Sequence, residues 1–230
     1  MRTAIITGGS RGFGQALAAR LVGAGWDVVV DGRDGVALRA AARELGARAH
    51  AVVGDITDPT HRAALIEAAS RLGGLDLLVN NASSLGPSPL PRLRDVALEA
   101  MGALHQVNVV APLALVQLAL PLLRARGGAV LNVTSDAAVE AYEGWGAYGS
   151  SKAALEQLSN VLRVEEPEVR IWWLDPGDMR TEMHQAAFPG EDISDRPLPE
   201  AIAPAVLRVL EARPPSGRIR AVDVSMDRAS

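Results

Sequence analysis

Residues 7–14 of this chain read TGGSRGFG, with glycines at 8, 9, 12 and 14. The apolar run 4–6 (AII) precedes them, the pattern of a buried strand running into a turn. Residues 15–24 follow as an Ala/Leu-rich helix that stops at Gly25. Such a turn, at the carboxyl end of a first strand, is where a dinucleotide belongs. Its glycines permit a tight bend and let backbone N–H groups approach a pyrophosphate at the helix N-terminus. The spacing is G-x-x-x-G-x-G, not the commoner G-x-G-x-x-G. A glycine turn alone can be a plain strand–helix connection, so its place between strand and helix carries the weight.

The rest of the chain repeats that alternation. Strands are expected at 27–31, 49–53, 75–79, 129–133, 169–174 and 218–222. Helices are expected at 36–45, 59–72, 93–124 (bent at Pro112), 147–164 and 200–211. Residues 83–92 hold three prolines and form a loop, and 175–199 are irregular. Strands alternating with helices imply βαβ units. The expected fold is therefore α/β: a Rossmann-like doubly wound three-layer sandwich around a parallel sheet of about seven strands. No composition break marks a second domain, so residues 1–230 are expected to form one dinucleotide-binding catalytic domain. A substrate lid falls at about 179–199, since a long irregular run inside a compact domain is often functional.

Composition narrows the function. Net charge is −4 with no basic surplus, which argues against nucleic acid as a partner. There is no cysteine, and the four histidines have no ligand spacing, so no metal site is expected. The longest uncharged run, 107–123, is shorter than the ~20 residues of a membrane span and contains two prolines. A cytoplasmic protein with no membrane partner is expected.

The second strand presents the group that reads the adenosine ribose. Here it ends Asp31-Gly32-Arg33, and Arg11 lies inside the glycine turn. Two guanidiniums suit a phosphate dianion, which favours NADPH over NADH. Asp31 is the competing feature: a one-residue change of register would let it bind a ribose hydroxyl and favour NADH.

Of the 23 Lys+Arg residues only Lys152 is lysine, and it follows one of two tyrosines, Tyr148, by one helical turn. A free tyrosine titrates near pH 10, and lowering that by roughly 3 units needs ~4 kcal/mol of phenolate stabilisation. An ammonium on the same helical face can provide much of it.

Together these features resemble the short-chain dehydrogenase/reductase superfamily in its compact single-domain form, over nearly the whole chain. The turn matches TGxxxGxG. Asp55-Ile56 is similar to the pair that brackets the adenine, and Asn80-Asn81-Ala82-Ser83 to the family's Asn-Asn-Ala-Gly. Asn108 falls at the catalytic asparagine of the long helix. Ser135 precedes Tyr148 by 13 residues, Tyr148 to Lys152 fits Tyr-x-x-x-Lys, and Pro176-Gly177 with Thr181 fits Pro-Gly-x-x-x-Thr. The resemblance implies cofactor contacts from Gly8, Ser10, Arg11, Gly12, Phe13, Gly14, Arg33, Asp55, Ile56, Asn81, Ala82, Tyr148, Lys152, Pro176, Gly177 and Thr181. It implies Tyr148 as acid/base, Lys152 lowering its pKa and binding ribose, Ser135 polarising the substrate oxygen, and Asn108 holding a proton-relay water. Ser83 for Gly, Asp175 for Asn and the added Asp136 depart from the pattern.

The implied activity is an NADP(H)-dependent transfer of hydride between nicotinamide and a small-molecule carbonyl or secondary alcohol. A dinucleotide-sensing regulatory protein on the same fold is the competing reading; it would bind cofactor and reduce no carbonyl. A sugar-nucleotide epimerase is disfavoured, because few residues follow 169. Asp136, Glu140, Tyr142, Glu143 and Trp145 give the substrate side an acidic and aromatic lining, suited to a polar, cationic or hydroxylated substrate. His184 is expected at the surface. The helices at 107–123 and 147–164 suggest a homodimer or homotetramer, which sedimentation would decide.

Overall fold

The central strands of this chain carry short apolar runs (AII, VVV, LLV, AVL, IWWL), because helices cover both faces of the sheet they form. The computed structural model describes residues 1–226. Its strands are β1 (Thr3–Ile6), β2 (Asp27–Gly32), β3 (Ala49–Val53), β4 (Leu77–Asn80), β5 (Ala129–Val133), β6 (Arg170–Asp175) and β7 (Gly217–Arg220). The helices are α1 (Gly12–Gly23), α2 (Gly35–Leu45), α3 (Pro59–Arg71), α4 (Leu98–His105), α5 (Ala111–Arg126), α6 (Gly146–Glu165), α7 (Glu182–Ala187), α8 (Pro199–Ala212) and α9 (Ala221–Met226).

Among the described residues the strands make one parallel sheet in the order β3-β2-β1-β4-β5-β6-β7. Side chains alternate between its faces. Ile6, Val30, Val79 and Trp172 join the core under α1 and α8. Ile5, Val29, Leu78 and Val130 join the core under α3 and α5. The strand order reverses between β1 and β4, which opens a crevice beyond the carboxyl ends of the strands, the place where such sheets bind ligands.

The long middle helix differs from expectation. Residues 93–124 are not one helix bent at Pro112. A single 3-10 turn (Leu93–Asp95) precedes α4, and a π turn (Gln106–Val110) joins α4 to α5. Pro112 sits in the first turn of α5, where its missing N–H costs little. The break comes just before it and contains Asn108. The combined stretch Leu98–Arg126 is long and apolar enough to cross a membrane by length and composition. However, its Ala111, Leu115, Ala119 and Leu123 pack with Leu78 and Val130, so its apolarity is that of a core helix. Two smaller differences concern the C-terminal third. The irregular segment 175–199 contains α7, and the last strand stops at Arg220 and turns into α9.

Candidate active site

The glycine turn is built from backbone. Gly8 and Gly12 have φ of +67° and +57°, which only glycine adopts without strain. Gly14 is required by close approach: a Cβ there would lie 2.4 Å from the Gly8 carbonyl oxygen and 2.5 Å from Asn81 Nδ2. Asn81 clamps the turn, donating to the carbonyls of Thr7 and Gly8 at 2.8 and 3.2 Å. Phe13 is buried in the core beneath it.

The helix ends tell more. Asp34 caps α2 by accepting from the N–H groups of Val36 and Ala37, and Asp58 caps α3 through Thr60. The N-terminus of α1 has no side-chain cap and no acidic residue in its first turn. Its backbone donors and dipole are left to an anion, so the residues present fit a dinucleotide pyrophosphate.

At the ribose end the structure decides the question of Asp31. That carboxylate is buried and already spent: Oδ1 accepts Gly8 N–H at 2.6 Å, and Oδ2 lies 3.0 Å from His61 Nε2. It braces the turn with both oxygens engaged. Arg11 and Arg33 each have a carboxylate neighbour. Arg11 pairs with Glu182 on α7 at 2.5 Å, while Arg33 acts on Asp55. Asp55 accepts the N–H and hydroxyl of Thr57, which hold its carboxyl below the usual range, and Ile56 beside it is buried. Ser10 lies against Gly32.

Tyr148 and Lys152 sit one turn apart at the start of α6, both buried. Gly149 lets α6 press on the turn after β5, since a Cβ there would meet the Ala137 carbonyl oxygen at 2.5 Å. Ser135 opens that turn, so strand end and helix start are fixed together. Burial pushes the Tyr148 phenol up from 10, and the hydroxyls of Ser83 and Ser135 act the other way; Asp136 and Asp175 raise it further. Burial is the largest of these causes. Lys152 Nζ donates to the Val133 carbonyl at 2.8 Å and lies 5.6 Å from the centre of the Tyr148 ring. Burial lowers its pKa to about 8.

Two more expectations are modified. The Ser135 hydroxyl donates to Asp136 Oδ1 at 2.9 Å, and Asp136 Oδ2 accepts from Tyr142 at 3.0 Å. Asn108 has its side chain fully used. Its Oδ1 accepts from Ser84 N–H and the Ser83 hydroxyl, and its Nδ2 donates to the Ser84 carbonyl and the Ser151 hydroxyl.

The segment after β6 leads through a turn into α7. Pro176 and Gly177 follow Asp175, which accepts Gly177 N–H at 3.0 Å. Thr181 caps α7 through His184 N–H. His184 is not a surface residue: its side chain is 10% exposed and stacks on Phe188 at 4.9 Å. Phe188 reaches Trp145 at 5.9 Å, and Trp145 reaches Tyr148 at 5.7 Å. Glu143 is engaged by Arg92.

Sequence reasoning missed Ser83 as a contact of Tyr148 and Asn108, and Ser151 as a partner of Asn108. Their only signal is position beside a motif residue. It also missed Arg218 and Glu156, which meet behind Ser135 and have no local signal.

The family model for short chain dehydrogenases matches residues 2–192. Serine 3-dehydrogenase of Agrobacterium fabrum is 39% identical over 184 residues, spanning 78% of this chain and 73% of that protein. Mouse sepiapterin reductase is 34% identical over 199 residues, spanning 80% and 76%. Among solved structures, an alcohol dehydrogenase from the archaeon Thermococcus sibiricus, complexed with 5-hydroxy-NADP, superimposes with a TM-score of 0.86 at 28% identity, covering 96% of this chain and 95% of that one. A short chain dehydrogenase of Shigella flexneri 2a complexed with NADP gives 0.87 at 28% identity, covering 96% of each chain.

Proposed function

The chain belongs to the short-chain dehydrogenase/reductase family, and from that premise we propose that it is an NADP(H)-dependent oxidoreductase acting on a carbonyl or secondary alcohol. The observation that carries the proposal is the buried Tyr148–Lys152 pair beside Ser135, at the crevice that the uncapped N-terminus of α1 also faces.

A nicotinamide dinucleotide, when bound, supplies or accepts the hydride. Gly8, Gly12 and the N–H groups of α1 would hold its pyrophosphate, Asp55 and Ile56 its adenine, and Pro176, Gly177 and Thr181 its nicotinamide end. Tyr148 gives a proton to the substrate oxygen in reduction and takes one from the alcohol in oxidation. In the buried site the neutral phenol is the favoured form, and the Lys152 ammonium one turn further along α6 would offset this. Ser135 stabilises charge on the substrate oxygen by turning its hydroxyl from Asp136 towards it. Asn108 holds loop 83–84 and α6 together, and a relay water would use the backbone beside it.

NADP is favoured over NAD on two grounds. Asp31 is withdrawn into the turn, while Gly32 offers no carboxylate and Arg33 stands exposed after it. The Thermococcus and Shigella relatives are complexed with NADP-type dinucleotides.

The test is Tyr148→Phe assayed with NADPH across a panel of ketones, aldehydes and hydroxy amino acids such as serine. Removing the proton donor lowers kcat by about 10²–10⁴-fold, with dinucleotide binding retained. Unchanged kcat in that variant would overturn the mechanism.

A further inference from the structure

Behind Ser135 lies a group of charges drawn from three elements. Arg218 stands on β7, 83 residues from Ser135. Its guanidinium donates to Glu156 Oε1 on α6 at 3.0 Å, to Asp175 Oδ2 at the end of β6 at 3.2 Å, and to the Ser135 carbonyl at 3.3 Å. The carboxylates are themselves tied to the site. Glu156 Oε1 also accepts the Thr134 hydroxyl at 2.8 Å, and Asp175 Oδ1 accepts Gly177 N–H at 3.0 Å. Asp175 and Glu156 expose only 7% and 12% of their side chains, and Arg218 exposes 25%. Glu156 lies one turn beyond Lys152 on α6.

We propose that Arg218 is a positioning residue for the reaction at Tyr148: it anchors the backbone of Ser135 and offsets part of the charge on Asp175, so that this carboxylate opposes ionisation of the phenol less than it would alone. The proposal rests on the oxidoreductase reading given above. A planar fork with several donors can engage two carboxylates and a carbonyl at once, which a single ammonium cannot. Left alone, the Asp175 carboxylate would be a nearly buried charge with one backbone donor.

The charges facing Tyr148 can be named. Lys152 comes from the same helix, Asp136 from the turn after β5 and Asp175 from β6; the hydroxyls of Ser83 and Ser135 complete the surroundings. Asp136 and Asp175 both act to raise the phenol's pKa. Two carboxylates therefore stand against one ammonium, and Arg218 is the cation placed on one of the two. Asp175 occupies the place where the family pattern has a neutral asparagine, so the pairing restores locally the charge of that pattern.

The experiment compares Arg218→Gln, Asp175→Asn and the double variant with the wild type, all as full chains. The pH profile of kcat for alcohol oxidation is recorded with saturating NADP⁺, after circular dichroism confirms folding. Arg218→Gln raises the apparent pKa by about one unit and lowers kcat near neutral pH about tenfold. Asp175→Asn lowers the apparent pKa. The double variant returns it to the wild-type value, because the lost cation and lost anion cancel, but its plateau kcat stays reduced, because the Ser135 carbonyl has lost its donor. A merely structural Arg218 would change stability and leave the pKa where it was. An unmoved pKa in Arg218→Gln, or a double variant that keeps the raised pKa, overturns the proposal. If Arg218→Gln does not fold, Asp175→Asn decides: an unmoved pKa there overturns it too. Failure of the underlying reading looks different. Wild-type protein that turns over no substrate, or turnover that survives Tyr148→Phe, sinks both readings together.

Discussion

The two ends of the candidate site are made of different material. The end at β1 and α1 is backbone: a glycine turn, helix N–H groups without a cap, and Asn81 and Asp31 spent on bracing them. The end at β5 and α6 is side chains, namely the buried Tyr148, Lys152 and Asn108 and the half-buried Ser135, set among partners from loop 83–84, β6 and β7. The comparison teaches where the cost of function falls. A backbone site needs space and conformational freedom, which glycine supplies cheaply. A side-chain site buries ionisable groups, and the fold is charged for their desolvation.

Lys152 tests that difference most strongly. Lys152→Met removes the ammonium beside the phenol, so kcat should fall by about 10²–10³-fold. The same change should raise stability. The pKa of Lys152 is lowered in the fold, from 10.5 to about 8, so its protonated form disfavours folding. That cost is complete below pH 8 and fades as pH rises towards 10.5. Tyr148 titrates higher in the fold than its ordinary 10, so its own contribution declines only above that. Between pH 8 and 10 the wild type should therefore gain stability that the variant does not. At pH 7 the variant should be the more stable by roughly 2 kcal/mol, after allowing for the lost bond to Val133. Urea unfolding across that pH range measures it, and a less stable Lys152→Met protein would break the comparison.

Gly14→Ala probes the backbone end. The added Cβ meets the Gly8 carbonyl, which is backbone and cannot swing away. Dinucleotide affinity should fall more than tenfold and stability by about 1–3 kcal/mol, read by titration calorimetry and thermal unfolding. Retained affinity would mean that the turn is a connection and not a cradle. The smallest effect is expected at the rim. Arg33→Ser should weaken NADPH about tenfold, as loss of one charged contact with a phosphate does, and leave NADH unchanged. Equal losses for both cofactors would move the 2′-phosphate site away from Arg33.

Legibility in the sequence followed the same division. The glycine turn, the alternation of strands and helices, and the Tyr148–Lys152 spacing are local patterns, and each lies where it was expected. Asn108 could be placed on a long helix, but the π turn that holds it could not. The apolar period runs through 98–126, and the π turn holds an Asn108 side chain bonded to the hydroxyls of Ser83 and Ser151 and to the backbone of Ser84. Asp31 was ambiguous because strand register alone does not say whether a carboxylate faces a ligand or a neighbouring turn. Its answer came from His61, thirty residues away.

The sequence by itself therefore determined the parallel α/β fold, the place of the glycine turn between β1 and α1, and the spacing of Tyr148 and Lys152 on α6, since each is written in residues within one or two turns of one another. The tertiary structure alone decided how those groups are tuned. Burial raises the Tyr148 pKa, Asp136 holds the Ser135 hydroxyl, and Arg218 reaches across from β7 to Asp175. The physical reason is that desolvation and Coulomb interaction depend on distance in space, which a parallel sheet sets by strand order and not by position along the chain.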